Sequence, residues 1–143
     1  MSNGSAVAEA EPYIHKIRVR YGEADMQRVV YNPHYLTYVD DAVETWLRVL
    51  GINVYDFGWD FMLKKATIEW QGNATVHDII EIAMEVSRWG TTSFDVLYIG
   101  TVADRPVFTC TITYVGVKAG TQETMPPPTE ISQRMGGDAA TSP

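Results

Sequence analysis

The sequence predicts a two-layer α+β domain, an antiparallel sheet of five strands with one long helix laid across a face of it. Three observations carry the prediction. Residues 14–21 alternate between apolar and basic side chains, as a half-buried strand does. From Pro33 the apolar spacing becomes helical, with Leu36, Val39, Val43, Trp46, Leu47 and Leu50 in one stripe. After Gly51 the segments are strand-like and joined by short connections, which imply antiparallel neighbours.

In the first strand Ile17, Val19 and Tyr21 take one face, and Lys16, Arg18 and Arg20 the other. Asn32 is the expected N-cap of the helix. Pro33 would then stand at N1, where its missing N–H is no loss. Asp40, Asp41, Glu44 and Arg48 fall between the apolar positions, and Glu44 and Arg48 have ion-pair spacing. Gly51 ends the helix at C′. Residues 61–70, 78–89, 92–102 and 107–117 are the four later strands, rich in Val, Ile, Thr and aromatics. Gly90 and residues 103–106 turn the chain, so the last three strands form a meander. Pro126-Pro127-Pro128 stops the sheet, and residues 129–134 add a short helical turn. Residues 1–12 read as a disordered leader and 136–143 as a disordered tail, which leaves 13–135 as one domain.

Composition narrows the function classes. The 143 residues suffice for one domain, and 45% hydrophobic with 20% charged residues suits a chain that buries a core. A net charge of -7 argues against nucleic acid as a partner. No apolar run approaches the ~20 residues of a membrane span. The N-terminus lacks the basic start and apolar stretch of a secretory signal. Cys110 is the only cysteine, which excludes an internal disulfide and a cysteine-rich zinc site. The cytoplasm is therefore the expected location. His15, His34 and His77 lack metal-ligand spacing, and the chain contains no nucleophile elbow, phosphate loop or dinucleotide fingerprint.

The chemistry concentrates in residues 21–35. Glu23 and Asp25 share a loop with Gly22, and the helix starts a few residues later. A helix start offers free N–H groups and the positive end of a dipole, and so can hold a developing oxyanion. A carboxylate opposite it can act as nucleophile or as general base on water. From spacing alone a turn-forming Asp25 is the simpler reading.

The segment Val19-Arg20-Tyr21-Gly22-Glu23-Ala24-Asp25-Met26-Gln27-Arg28-Val29-Val30-Tyr31-Asn32-Pro33-His34-Tyr35, with the helix on to Trp46-Leu47, changes that weighting. It resembles the signature of the hot-dog-fold acyl-CoA thioesterases, and among them the 4-hydroxybenzoyl-CoA thioesterase family. The resemblance extends over residues 14–118. It implies a hot-dog fold, in which an antiparallel five-stranded sheet wraps one long central helix. It also implies hydrolysis of an acyl-CoA thioester to free acid and CoA. Asp25 matches the catalytic carboxylate, and the backbone N–H groups at Tyr31 and Asn32 match the oxyanion site. Tyr31 and Tyr35 match walls of the acyl site, and Thr92 or Ser93 matches a hydroxyl that approaches the thioester. No metal or cofactor is implied, because CoA arrives with the substrate. A homodimer, or a tetramer of two dimers, is implied by the family's two-fold interface.

The match has departures. Asn32-Pro33-His34-Tyr35 exchanges the family's usual His and Asn. Arg28, and at a later turn His77, stand where the family commonly has glycine, and Asn73 where it has proline. His34 is a candidate substrate contact, although packing against the loop is the simpler reading. His15 and His77 are expected at the surface, Asp41 and Glu44 in solvent, Asp40 beside the buried stripe, and Cys110 in the core. A CoA carrier needs a basic rim, for which Arg28, Lys64, Lys65 and Arg88 are candidates. Two rivals remain open: a hot-dog hydratase or dehydratase using His34 with Asp25, and a non-enzymatic acyl-CoA-binding module.

Overall fold

The computed structural model describes residues 13–136. The elements run β1 (Tyr13–Arg18), α1 (His34–Val49), β2 (Trp59–Trp70), β3 (Ile79–Trp89), β4 (Ser93–Val102), β5 (Arg105–Lys118) and α2 (Thr129–Arg134). Short 3-10 turns at Tyr21–Glu23 and Val54–Phe57 flank α1. The five strands form one antiparallel sheet in the order β1-β3-β4-β5-β2. Thus β3, β4 and β5 are the expected meander, and β1 and β2 are its edges. The tight β4–β5 turn places Ala103 and Asp104 at φ 50° and 66°, the two-residue geometry that matches strand twist.

The inner face of the sheet carries Ile80, Ile82, Met84, Phe94, Val96, Tyr98, Phe108, Cys110, Ile112 and Tyr114, all buried. Against it α1 buries Tyr35, Tyr38, Val39, Ala42, Val43, Trp46 and Leu47. Each large apolar side chain so enclosed stabilises the fold by ~1.5–3 kcal/mol before entropy is counted. A Cβ at position 100 would strike the Phe108 ring, so Gly100 lets that ring lie across β4. The sheet wraps the helix, the hot-dog arrangement that the resemblance implies.

Several local expectations need correction. The first strand stops at Arg18. Tyr21 is 86% exposed in the following turn and does not share a face with Ile17 and Val19. The Glu23 N–H donates to the Arg20 carbonyl and bends the chain there. The helix stripe is also rotated. Tyr35, Tyr38 and Ala42 face the sheet, while Leu36 is 38% exposed.

Asn32 does not cap α1. The cap position is Pro33, and no side chain accepts a bond there. The carbonyls of Tyr31, Asn32 and Pro33 take the N–H groups of His34, Tyr35 and Leu36, so the first turn is satisfied by backbone alone. The other end follows expectation. Gly51 is left-handed at φ 75° and donates to Arg48, and Ile52 donates to Leu47, closing the helix with a Schellman turn. Arg134 of α2 adds a bond of 3.1 Å to the Gly51 carbonyl.

His15 and Asp41 are not solvated singly, since His15 Nε2 and Asp41 Oδ2 lie 2.8 Å apart. Glu44 and Arg48 make the expected pair. Cys110 is buried, and burial pushes its thiol up to about 11. The leader and residues 137–143 of the tail lie outside the described residues. Gly136 is described and ends α2 at φ 94°.

Candidate active site

Residues 23–31 fold into a small hairpin that carries Asp25 to the start of α1. The Tyr31 N–H donates to the Glu23 carbonyl at 3.0 Å, Ala24 bridges Val30, and the Asp25 N–H donates to Val29 at 2.9 Å. The Val30 N–H donates to the Ala74 carbonyl at 2.8 Å and fastens the hairpin to the segment before β3. The chain reverses through Arg28, whose φ of 66° is the left-handed region that favours glycine. That accounts for a family glycine here. His77, at φ 76°, is the same case at the later turn.

Asp25 is half-buried. Its Oδ1 accepts the Gln27 N–H at 2.8 Å, and its Oδ2 has no hydrogen-bond partner among the described residues. Two open depressions of about 540 Å³ each meet at this carboxylate. One is lined by Tyr31 and His34, the other by Tyr21, Arg28, Thr75 and Val76. The rings of Tyr31 and His34 meet edge to face at 5.8 Å.

Behind Asp25 lies Glu23, whose side chain is buried. Oε1 accepts the Arg20 N–H at 2.9 Å and the Tyr38 hydroxyl at 2.8 Å. Oε2 accepts Arg20 Nε and Nη2 at 2.8 and 2.5 Å. Burial alone would raise its pKa, but the bonds from Arg20 and Tyr38 hold it below the usual carboxylate range. Burial and the adjacent Glu23 in turn push the Tyr38 hydroxyl far upward. Sequence reasoning placed Glu23 in the right loop and missed this role. The available signal was its spacing, three residues after Arg20.

The predicted site residues divide sharply. Tyr31 and His34 line the same depression as Asp25, and Asn32 lies between them. The Tyr31 N–H is not a free oxyanion donor, because Glu23 already engages it. The Asn32 N–H has no acceptor among the described residues. Tyr35 does not wall the site. It is 2% exposed and packs against Tyr38, Trp70 and Phe108 in the core.

Thr92 and Ser93 are not brought to Asp25 within one chain. They open β4 beside Gly116, whereas Asp25 lies by the opposite sheet end, ~25 Å away along the strand. Ser93 Oγ accepts Arg88 Nη2 at 3.0 Å. Arg88 is therefore also at the far end. Lys64 and Lys65 lie in the middle of edge strand β2, with Lys64 at a bulge. Of the four basic candidates, Arg28 alone lines a depression with Asp25. Among the described residues no three His, Cys, Asp or Glu side chains are grouped to hold a metal, and no helix is long and apolar enough to cross a membrane.

Residues 19–135, the hairpin, helix and sheet together, match the thioesterase-like superfamily. The chain belongs to that superfamily. A curated relative from Aquifex aeolicus with esterase in its name is 26% identical over 91 residues, covering 62% of this chain and 71% of the relative. The crystal structure of a hypothetical Aquifex aeolicus protein superposes with a TM-score of 0.78 at 24% identity, covering 87% of this chain and 99% of that one. A 1,4-dihydroxy-2-naphthoyl-CoA thioesterase from Synechocystis gives 0.77 at 17% identity, covering 86% and 94%. A gentisyl-coenzyme A thioesterase gives 0.77 at 18%, covering 86% and 99%. At such identities the superpositions establish the hot-dog fold. In this member of the superfamily the acidic loop and the start of the long helix meet at one depression.

Proposed function

We propose that this chain is an acyl-CoA thioesterase that hydrolyses its substrate to a free acid and CoA. The observation that supports it is the setting of Asp25. One oxygen is oriented by Gln27, the other is unengaged, and one of the two depressions at the carboxylate is lined by His34, at the positive end of α1. As nucleophile, Asp25 would bond to the thioester carbon and expel the CoA thiolate. Water would then cleave the resulting acyl anhydride. As general base, Asp25 would take a proton from water while hydroxide attacks the same carbon, and the departing thiolate would take up a proton. In either course the carbonyl oxygen gains charge, and the Asn32 N–H is the donor that supports it. Label in the Asp25 carboxylate after a single turnover in ¹⁸O water would mark the nucleophilic course with water adding to the Asp25 carboxyl carbon, a label that the general-base course does not give.

His34 and Tyr31 are read as walls for the substrate. The hydratase reading needs an acid–base pair, and His34 shows no hydrogen bond to Asp25 among the described residues. Its ring rests on Tyr31 instead. The chain is further read as at least a dimer. Strand β2 is a sheet edge of 12 residues that exposes Met62, Leu63 and Trp70. Such an edge is a ready template for pairing. Antiparallel pairing of β2 with its own copy would set the Trp59 end of one chain beside the Trp70 end of the other. By that route the partner chain's β4 start, where Thr92 and Ser93 lie, would approach the Asp25 end. A monomer by light scattering at micromolar concentration would refute the assembly. The single, buried Cys110 supports a cytoplasmic setting.

The deciding experiment is a free-thiol assay on acyl-CoAs from short to long and aromatic, with Asp25→Ala as control. The aromatic arm is motivated by the two relatives named for aromatic acyl groups. Thiol release by the wild type and its loss in the variant is the expected result. Tight acyl-CoA binding without thiol release would establish the binding module instead, and hydration of an enoyl-CoA without thiol release the hydratase.

A further inference from the structure

We infer that Glu23 is a positioning residue, whose carboxylate clamps the Asp25 hairpin to the central helix through Tyr38 and to the segment that follows the first strand through Arg20. The inference rests on the reading of Asp25 as the reacting carboxylate. Among the described residues Glu23 is the one buried charged side chain. A carboxylate removed from water persists only where donors surround it. Here four converge: the Arg20 N–H, two guanidinium N–H groups of Arg20, and the Tyr38 hydroxyl. Arg20 lies before the hairpin, and Tyr38 on the next helical turn after His34. The Glu23 carbonyl meanwhile accepts the Tyr31 N–H, where the hairpin returns to the helix. One residue thus holds both the outgoing and the returning chain of a hairpin whose Asp25 is two positions on.

The chemistry of the clamp is specific. All four groups that face Glu23 donate, so only an acceptor fits. A glutamine would aim an NH2 at one of them and leave a donor unmatched. Tyr38 is 1% exposed, so its hydroxyl has no solvent to turn to. A displacement of about 1 Å at the reacting atoms lowers turnover by up to ~100-fold.

The test compares Glu23→Gln, Tyr38→Phe and the double variant in the full chain, by steady-state kinetics on an acyl-CoA that the wild type cleaves and by amide hydrogen exchange. In Glu23→Gln kcat is expected to fall about tenfold or more while KM stays within about threefold. Tyr38→Phe shifts kcat less in the same direction, and the double variant is no slower than Glu23→Gln, because the two groups act as one unit. The Asp25 and Tyr31 amides exchange about tenfold faster, and those of Val96 and Ile112 in the sheet do not. Unchanged kcat overturns the inference, as does a fall in kcat matched by faster exchange throughout the sheet, which is general destabilisation. If Glu23→Gln fails to fold, Tyr38→Phe carries the same measurements. If the wild type cleaves no thioester, the proposed function fails, and exchange at Asp25 and Tyr31 decides the clamp: unchanged rates overturn it.

Discussion

An arginine, a carboxylate and a hydroxyl come together at each end of the sheet, and the two clusters differ in what they join. At the far end Arg88 grips both oxygens of Asp95 at 3.0 and 3.1 Å, and Thr113 donates to Asp95 at 2.7 Å. All three residues lie on the outer sheet face, in strands already held by backbone ladders. At the near end Arg20, Glu23 and Tyr38 join a hairpin to a helix, with the carboxylate buried. Both carboxyls are held below their usual range. The shared chemistry therefore does not distinguish them. An exposed pair between elements that are already fastened contributes ~0–1 kcal/mol. A buried acceptor between elements with no common ladder decides where its loop sits.

The largest expected effect lies in the chemistry proposed for Asp25, beside the near cluster. Asp25→Asn should lower thioester hydrolysis by about 10²–10⁴-fold in the free-thiol assay, with the urea midpoint nearly unchanged. Ser93→Ala, at the far cluster, tests whether that end enters the site through a partner chain. A kcat/KM fall without loss of stability would mean that it does.

Stability sharpens the contrast. Glu23→Gln should lower urea-unfolding stability by ~1–3 kcal/mol, because one of the donors around position 23 loses its acceptor. Asp95→Asn should stay within about 1 kcal/mol of wild type. Equal losses would mean that burial is not what separates the two clusters.

The hairpin itself offers a change of opposite sign. Arg28 holds a backbone conformation that an L side chain adopts at a penalty of ~1–2 kcal/mol. Arg28→Gly should raise stability by up to about 1 kcal/mol, the extra freedom of glycine in the unfolded chain offsetting part of the relief. Its effect on KM for an acyl-CoA reports whether the guanidinium also meets the carrier's phosphates.

The smallest effect is in pH dependence. Glu23 has a folded pKa below its ordinary 4.5, and Asp95 one below 3.8. The unfolded chain therefore binds more protons across the interval below these values. The contribution of each is full above the ordinary value and is lost as pH falls through the folded one. Unfolding free energy should rise between about pH 2 and 5, and less steeply in Glu23→Gln.

The fold was largely legible because its signals are local. Alternation from Ile14, the helical period from Pro33, Gly51 as a C-terminal stop and the turns after β3 and β4 depend on near neighbours, and each recurs in the structure, although the last turn narrows to Ala103-Asp104 with Arg105 and Pro106 already in β5. The same reasoning failed where a distant partner decides. Asn32 has a capping side chain, but the preceding carbonyls already satisfy the first turn of α1. Tyr35 stands beside the site in sequence and turns into the core, because a helix presents neighbouring residues to different sides.

By itself, then, the sequence determined the α+β layout, the meander of the last three strands and the loop that carries the two candidate carboxylates. Only the tertiary structure decided which of two carboxylates, two residues apart, is buried and which is open. Glu23 meets Tyr38 across a separation of 15 residues, while Asp25 meets only Gln27 nearby. The physical reason is that burial and hydrogen bonding are properties of what packs alongside, and a loop's neighbours are chosen by the helix and sheet it connects.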